Sequence, residues 1–314
     1  MKKTVLGCIL VVIIFLIGSC IVGDMVYDGS VGSSQRIKNE DMIKEYSNRE
    51  GKPLERLKKY NSQDLFIDSP QNGYKIECKF IKSNKPTDKN VIIVHGIESN
   101  YYEYLNKAFE YLENGYNVML YNQRHTGHTG GDDYTFGLYE RYDLDNVAKF
   151  LKQKYTNGLV GAHGHSMGAA TVIMHSEINE KNKYVDFYIA DSPYHEMQDA
   201  IRLGIEDKNV PLIPVGYAKF MGNIYTKVKS GFSYEDIKPW KAVKHITTPM
   251  FLIHGTADKV CAPESSKIIY DNIPHNKKEL WLIDGVKHVK AYDELGKEYF
   301  DRIYKFIDNK VLKN

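Results

Sequence analysis

The 314-residue sequence predicts an α/β fold with a mostly parallel eight-stranded sheet, helices on both faces, a small helical lid and an N-terminal transmembrane helix. Three observations lead to this prediction. The chain opens on an uncharged apolar stretch, short apolar segments then alternate with helical ones, and one long segment interrupts the alternation. Alternation of this kind is typical of βαβ units and a parallel sheet. The length suits one large domain with an anchor and a lid.

The N-terminal stretch, residues 5–22, is mostly apolar and carries no charge. A membrane span needs about 20 residues, whereas the apolar part of a cleaved signal peptide has about 7–15. Lys2 and Lys3 precede the stretch, and Asp24 and Asp28 follow it. Lys and Arg residues that flank a membrane span are enriched on its cytoplasmic side. We therefore expect a single-pass signal anchor in the cell membrane, with the rest of the chain extracytoplasmic.

Two other fates of the N-terminus stay open at this point. The stretch Ile17-Gly18-Ser19-Cys20 is similar to a lipoprotein processing box, which would be cleaved before Cys20 and acylated there. A simple secreted form is the third possibility. All three export the protein, and in each the first segment comprises residues 1–23.

Residues 24–63 form a polar, charged connector with one predicted helix, and residues 64–314 form the main domain. The first two predicted strands have no helix between them, so we expect them to be antiparallel at one edge of the sheet. The predicted strands are 64–68, 75–81, 91–95, 117–121, 159–163, 184–190, 250–254 and 279–283. The predicted helices of the main domain are 101–114, 140–155, 167–179, 262–273 and 292–309.

Residues 192–245 interrupt the alternation between the sixth and seventh strands. The segment is too long for an ordinary loop and contains several prolines. We interpret it as a lid of about two helices that shapes the substrate pocket. The alternative is a long crossover that does not contact the substrate.

Composition excludes several classes of function. The net charge of +2 gives no reason to expect a nucleic-acid partner. The four cysteines lie at 8, 20, 78 and 261, a spacing that does not indicate a disulfide framework. The histidine pairs His125/His128 and His163/His165 lack the further ligands that a metal site needs. We therefore predict no metal and no cofactor.

Ser166 lies in the pentapeptide Gly164-His165-Ser166-Met167-Gly168, between an apolar run and a helix-forming run. A Gly-x-Ser-x-Gly turn between a strand and a helix is typical of a nucleophile elbow. The serine of such a turn is strained, and Gly164 and Gly168 avoid collisions with the neighbouring strand and helix. Ser166 is the candidate nucleophile.

A serine needs a general base, and the base needs an acid that orients it. Asp258 follows the predicted strand 250–254, and His288 follows the predicted strand 279–283. The chain order Ser, Asp, His is the one expected for this architecture. We predict that His288 is the base and Asp258 the acid. Asp191 also ends a strand and is the alternative acid, but the motif His254-Gly255-x-x-Asp258 favours Asp258.

The predicted strand 91–95 ends in His95-Gly96-Ile97. The loop after this strand commonly supplies one backbone N–H of an oxyanion hole, and the residue after the nucleophile supplies the other. By position these are the amides of Ile97 and Met167. Gly96 lets the backbone approach the substrate, and His95 is a supporting residue.

These motifs resemble the α/β-hydrolase superfamily and, more narrowly, membrane-anchored bacterial α/β-hydrolases of the S9 (prolyl-oligopeptidase-like) serine hydrolase group. The resemblance covers residues from about 65 to 310 and includes VIIVHGIESN, GHSMGAAT, MFLIHGTADKVCAP and IDGVKH. One motif departs from the pattern, because Asn122 and Thr129 stand where relatives often carry Asp and Ser. The resemblance implies the α/β-hydrolase fold and an S9-like serine peptidase as one candidate.

We expect a serine hydrolase that cleaves carboxylic esters through an acyl-enzyme intermediate. The alternatives are a serine peptidase or amidase acting on short peptides, an acyltransferase, and a non-catalytic binding protein. The expected partners are a small acyl-ester or peptide substrate and the membrane. No motif in the sequence names the acyl group.

Overall fold

The structure is a computed structural model that describes residues 2–32, 36–49, 51–208 and 213–313. Eight strands form one sheet in the order β1-β2-β4-β3-β5-β6-β7-β8. Their bounds are β1 Ser62–Ser69, β2 Tyr74–Ile81, β3 Asn90–Val94, β4 Asn117–Tyr121, β5 Val160–His165, β6 Phe187–Asp191, β7 Met250–Gly255 and β8 Lys278–Ile283.

The sheet is antiparallel at one edge and parallel elsewhere. β1 pairs with β2, and β2 with β4, in antiparallel register. From β4 through β3 to β8 all neighbours are parallel. The carboxyl ends of the parallel strands therefore meet along one edge, which is where α/β sheets place their sites. The predicted fold class is confirmed.

Helices cover both faces of the sheet and bury two separate apolar clusters. The cluster on one face includes Phe109, Tyr111 and Phe300, and the cluster on the other includes Leu144, Val172 and Ile269. The helices are α1 Lys2–Asp28, α2 Asn39–Ser47, α3 Pro53–Leu57, α4 Leu105–Glu113, α5 Glu140–Lys154, α6 Met167–Asn182, α7 Met197–Lys208, α8 Val215–Ser230, α9 Pro239–Ala242, α10 Glu264–Asn272, α11 Ala291–Leu295 and α12 Lys297–Phe306.

Several element bounds differ from the sequence prediction by up to three residues, and one predicted helix is divided. β6 begins at Phe187 instead of 184, and the predicted helix 292–309 is divided at Gly296, which has φ 54°. A residue in this region of φ/ψ space ends a helix, and glycine adopts it without strain. Cys78 and Cys261 are buried free thiols, and Cys8 and Cys20 are exposed free thiols.

The segment 192–245 contains α7 and α8, and residues 209–212 between them lie outside the described part. The end of α1 packs against α8, and together with residues from α6 and the β6–α7 loop they form a third apolar cluster. Within the described residues, α1 is the helix that is long and apolar enough to cross a membrane. Most of its large apolar side chains before Ile21 are exposed.

Candidate active site

Ser166 lies at the carboxyl end of β5, directly before α6. Its backbone has φ 54° and ψ −118°, a conformation that L-residues rarely adopt and that marks a strained turn. The turn is tightly packed. A Cβ at Gly164 would lie 2.1 Å from the Gly168 carbonyl oxygen, and one at Gly168 would lie 2.2 Å from that of Val94. Both positions therefore require glycine for the elbow to form.

The structure brings Ser166, His288 and Asp258 together from three strand ends. His288 Nε2 lies 2.8 Å from Ser166 Oγ, and His288 Nδ1 lies 2.6 Å from Asp258 Oδ2. With Nδ1–H donating to the carboxylate, Nε2 is the acceptor for the serine hydroxyl. This is the tautomer that a general base requires.

Four groups hold the Asp258 carboxylate. Oδ1 accepts the backbone N–H groups of Val260 and Cys261, each at 2.9 Å. Oδ2 accepts from His288 and lies 3.1 Å from His254 Nε2. Burial raises the pKa of Asp258, but the hydrogen bonds from His254 and His288 outweigh burial and hold the pKa well below its usual value. Asp258 is therefore ionised at neutral pH.

Asp191, the alternative acid, is buried behind the serine and faces other partners. Its carboxylate accepts from Tyr299 at 2.8 Å and from Ser192 at 2.9 Å. Burial raises the pKa of Asp191, and the Tyr299 hydrogen bond opposes this only in part. The Ser192 hydroxyl accepts the N–H of Val289, next to His288, at 3.2 Å. Asp191 thus braces the loop that carries the base.

The backbone around β3 meets the serine from the other side. Ile97, Met167 and Ser166 line the same cavity. Across the described residues neither the Ile97 nor the Met167 amide N–H has an acceptor in the protein. The preceding amide, that of Gly96, donates to Tyr104 Oη at 3.2 Å. Two backbone donors without a protein acceptor thus lie beside Ser166, and their role as an oxyanion hole stays a prediction.

His95 supports this loop and is buried. Its Nε2 accepts the Gln123 N–H at 2.9 Å, while Nδ1 lies 2.7 Å from the Gly96 carbonyl oxygen. These contacts select the neutral form with the proton on Nδ1. Burial lowers the pKa of His95 to about 4. His95 is therefore a neutral bracing residue.

A cavity of about 320 Å³ opens beside Ser166. Its size is at the small end of ligand pockets. The segment 192–245, the predicted lid, contributes Ala200, Ile201 and Ile205 from α7, and Ala218 from α8. The far wall consists of residues of α1 and its extension, namely Val22, Met25, Val26, Gly29 and Ser30.

The loop after β4 carries Asn122 and Thr129 in place of the Asp and Ser of the family pattern, and both side chains form hydrogen bonds. Asn122 Nδ2 donates to Glu77 at 2.7 Å, and Thr129 Oγ1 donates to the Asn122 carbonyl oxygen at 2.7 Å. Arg124 pairs with Asp133 at 2.7 Å. The substituted side chains thus still close the loop.

The two histidine pairs occupy different surroundings. His163 and His165 stack at 4.2 Å between ring centroids, and burial lowers the pKa of both well below the usual value. His128 pairs with Glu77 at 2.9 Å. In the part of the chain that the structure describes, three or more His, Cys, Asp or Glu side chains do not gather as a metal site would need.

Three features of the site are missing from the sequence prediction. The contact between His254 and Asp258 has a signal in the sequence, namely their four-residue spacing. Tyr104 binds the Gly96 amide from a separate helical turn, which no pattern indicates. The wall formed by α1 depends on tertiary packing alone.

Known proteins are similar to this chain over most of its length. A family model described as Serine aminopeptidase, S33 matches residues 85–237 and 238–294. The uncharacterized protein YqkD of Bacillus subtilis (strain 168) is 28% identical over 306 residues, which cover 96% of this chain and 97% of that protein.

Solved structures share the fold. The esterase Pf2001 of Pyrococcus furiosus has a TM-score of 0.66 at 24% identity, covering 88% of this chain and 99% of that one. Est1E of Butyrivibrio proteoclasticus, solved with ferulic acid bound, has a TM-score of 0.59 at 18% identity, covering 78% of this chain and 100% of that one. The comparisons support the superfamily resemblance. They do not support the S9 group specifically.

Proposed function

Because this chain belongs to the serine aminopeptidase S33 family of α/β-hydrolases, we propose that it is an esterase that hydrolyses carboxylic esters through Ser166, His288 and Asp258. The observation that carries the proposal is the hydrogen-bonded chain Asp258–His288–Ser166. It ends at a serine hydroxyl that faces a cavity.

In the first half-reaction, His288 Nε2 takes the Ser166 proton as Oγ bonds to the ester carbonyl carbon. The carbonyl oxygen becomes an oxyanion, which the Ile97 and Met167 amides stabilise. Asp258 stabilises the imidazolium that His288 becomes. The carbon–oxygen bond to the alcohol then breaks, and the imidazolium gives its proton to the departing alkoxide. The acyl group remains on Ser166.

In the second half-reaction, His288 deprotonates a water that attacks the acyl carbon. The bond to Ser166 Oγ breaks, Oγ recovers its proton from His288, and the carboxylic acid leaves. The residues of this chain supply every proton transfer, so the proposed route requires neither a metal nor a cofactor.

The character of the cavity favours an ester with an apolar acyl group. Ile97, Phe136, Ile201 and Ile205 supply apolar walls, and an apolar pocket binds hydrocarbon by removing it from water. A peptidase or amidase is the second candidate. The observation that favours it is the matching family model, which is described as Serine aminopeptidase, S33.

We further propose that α1 anchors the enzyme in the cell membrane with the active site extracytoplasmic. Three observations support this proposal: the length of the apolar helix, the exposure of its apolar side chains, and the position of Lys2 and Lys3 before the apolar stretch. The intact mass of the protein, measured both in the membrane fraction and in the culture medium, distinguishes the three fates. An anchor keeps the whole chain, a lipoprotein begins at acylated Cys20, and a secreted form lacks the helix.

The function is tested with the full chain in detergent micelles. We expect 4-nitrophenyl esters to be hydrolysed with a higher kcat/KM than aminoacyl 4-nitroanilides, and both activities to be lost in Ser166→Ala. Preference for the anilides would instead establish the peptidase. Ester hydrolysis that survives in Ser166→Ala would contradict the proposed nucleophile.

A further inference from the structure

The helix expected to anchor the protein also contributes to the candidate active site. Val22, Met25 and Val26 of α1 line the cavity that contains Ser166. Asp24, the first charged residue after the apolar stretch, lies among them. A span of about 20 residues that begins at Thr4 ends near Gly23. The cavity wall is therefore at the depth where the helix would leave the bilayer.

The lid is held to α1 by close packing. A Cβ at Gly23 would lie 2.9 Å from the Tyr225 ring, and one at Gly222 would lie 2.4 Å from Val26 Cγ1. Small residues at such crossings let two helices approach closely. Polar contacts add to the packing, because Lys229 pairs with Asp24 at 2.8 Å. The close packing and the ion pair together hold α8 of the lid in one position against α1.

The two helices run in the same direction. Ser19 of α1 contacts Tyr217 near the start of α8, and Tyr27 contacts Ser230 at its end. The beginning of α8 therefore lies beside the apolar stretch of α1.

The outer face of α8 is apolar from this depth onward. Phe220, Ile224 and Val228 recur every four residues and are 59%, 41% and 80% exposed. Residues at this spacing share one face of a helix. Phe220, close to Tyr217 and the apolar stretch of α1, would meet lipid. Met25, which lines the cavity and is itself 54% exposed, lies two residues past the end of the span and would face the bilayer surface.

We propose that the anchor is one wall of the acyl pocket, and that the substrate is an amphiphilic ester resident in the bilayer, whose acyl chain enters sideways past Met25. This inference rests on the proposed esterase function. Transfer of an acyl chain from bilayer to cavity keeps it in apolar surroundings, so it avoids the cost of exposing the chain to water. The wall-forming residues follow Cys20, so they would remain after lipoprotein processing.

The first test changes the wall in the full-length protein reconstituted in lipid nanodiscs. Met25→Trp narrows the cavity at a half-exposed position. Ile21→Trp is the matched control, because Ile21 lies one turn earlier, is 55% exposed and does not line the cavity. The readout is the ratio of kcat/KM for 4-nitrophenyl laurate to that for 4-nitrophenyl acetate.

We expect Met25→Trp to lower this ratio by about tenfold, the effect of moderate overpacking, and Ile21→Trp to leave it unchanged. Equal ratios in the two variants would overturn the inference while leaving the esterase function intact. Failure of the wild type to hydrolyse either ester would refute the esterase function, and the inference would fall with it.

A second test needs no variant. 4-Nitrophenyl palmitate is placed either in the same proteoliposomes as the wild-type enzyme or in separate protein-free vesicles. Faster hydrolysis in the shared membrane supports lateral entry. Equal rates in the two arrangements would mean that the substrate comes through water, and the proposal would be wrong.

Discussion

Replacement of Asp258 by Asn tests the proposed acid, and the structure predicts how the amide would orient. Two backbone N–H groups, those of Val260 and Cys261, point at Oδ1. The amide oxygen of Asn must take that place, because an NH₂ group there would face two buried donors. The NH₂ group then occupies the position of Oδ2, beside His288 Nδ1.

An NH₂ group at that position donates to Nδ1, so the histidine proton moves to Nε2. Nε2 can then no longer accept the Ser166 proton. Selection of the wrong tautomer costs about 10⁴ in kcat in serine hydrolases of this type, which is about 5.5 kcal/mol of transition-state stabilisation. We expect a loss of this size for Asp258→Asn.

The assay is kcat for 4-nitrophenyl acetate with the full chain in micelles, together with the thermal midpoint. Asp284→Asn is the matched control, because Asp284 is exposed, lies four residues before His288 and accepts from Thr256 at 3.1 Å. A folded Asp258→Asn enzyme that keeps kcat within tenfold of the wild type would refute the reasoning. The same loss in Asp191→Asn alone would identify Asp191 as the acid.

Two further predictions concern stability. Gly168→Ala places a Cβ 2.2 Å from the Val94 carbonyl oxygen, so it should lower the free energy of unfolding by about 1–3 kcal/mol in denaturant titration. The control Gly204→Ala, in α7, has nothing within 4 Å of the new Cβ and should raise the free energy of unfolding by about 0.5–1 kcal/mol. Equal stabilities of the two variants would contradict the packing at Gly168. Burial raises the pKa of Asp143 to about 6, and hydrogen bonds from Ser69, Tyr74 and Asn72 only partly oppose it. Protonated Asp143 therefore stabilises the folded state below pH 4, and this contribution is lost as the pH rises through 6. Relative to Asp143→Asn, the wild type should lose about 2 kcal/mol between pH 4 and 7, and a pH-independent difference would contradict this.

Most of the fold could be predicted because apolar runs and turn residues mark each strand within a short window of sequence. The strands before Ser166, Asp258 and His288 are short apolar runs bounded by turn residues, and parallel pairing requires their carboxyl ends to meet. The two antiparallel strands at the edge followed from the missing helix between them. The division at Gly296 was not predicted, because a single glycine within a helical pattern is tolerated more often than it breaks the helix.

Long-range packing accounts for what the sequence did not reveal. His254 and Asp258 are close in sequence, yet their contact depends on the path of the β7 loop. Asp191 ends β6 and Asp258 follows β7, but the Asp191 carboxylate is bound by Tyr299 and Ser192 instead of by His288. The contact between α1 and the lid joins residues about 200 apart, so no window of sequence contains it.

Covalent labelling shows whether Ser166 is an activated nucleophile. The full-length wild type and Ser166→Ala are treated with a fluorophosphonate, and the modified peptide is identified by mass spectrometry. We expect one adduct, on Ser166, and none in the variant. Labelling that persists in Ser166→Ala, or a folded wild type that is not labelled, would contradict this expectation.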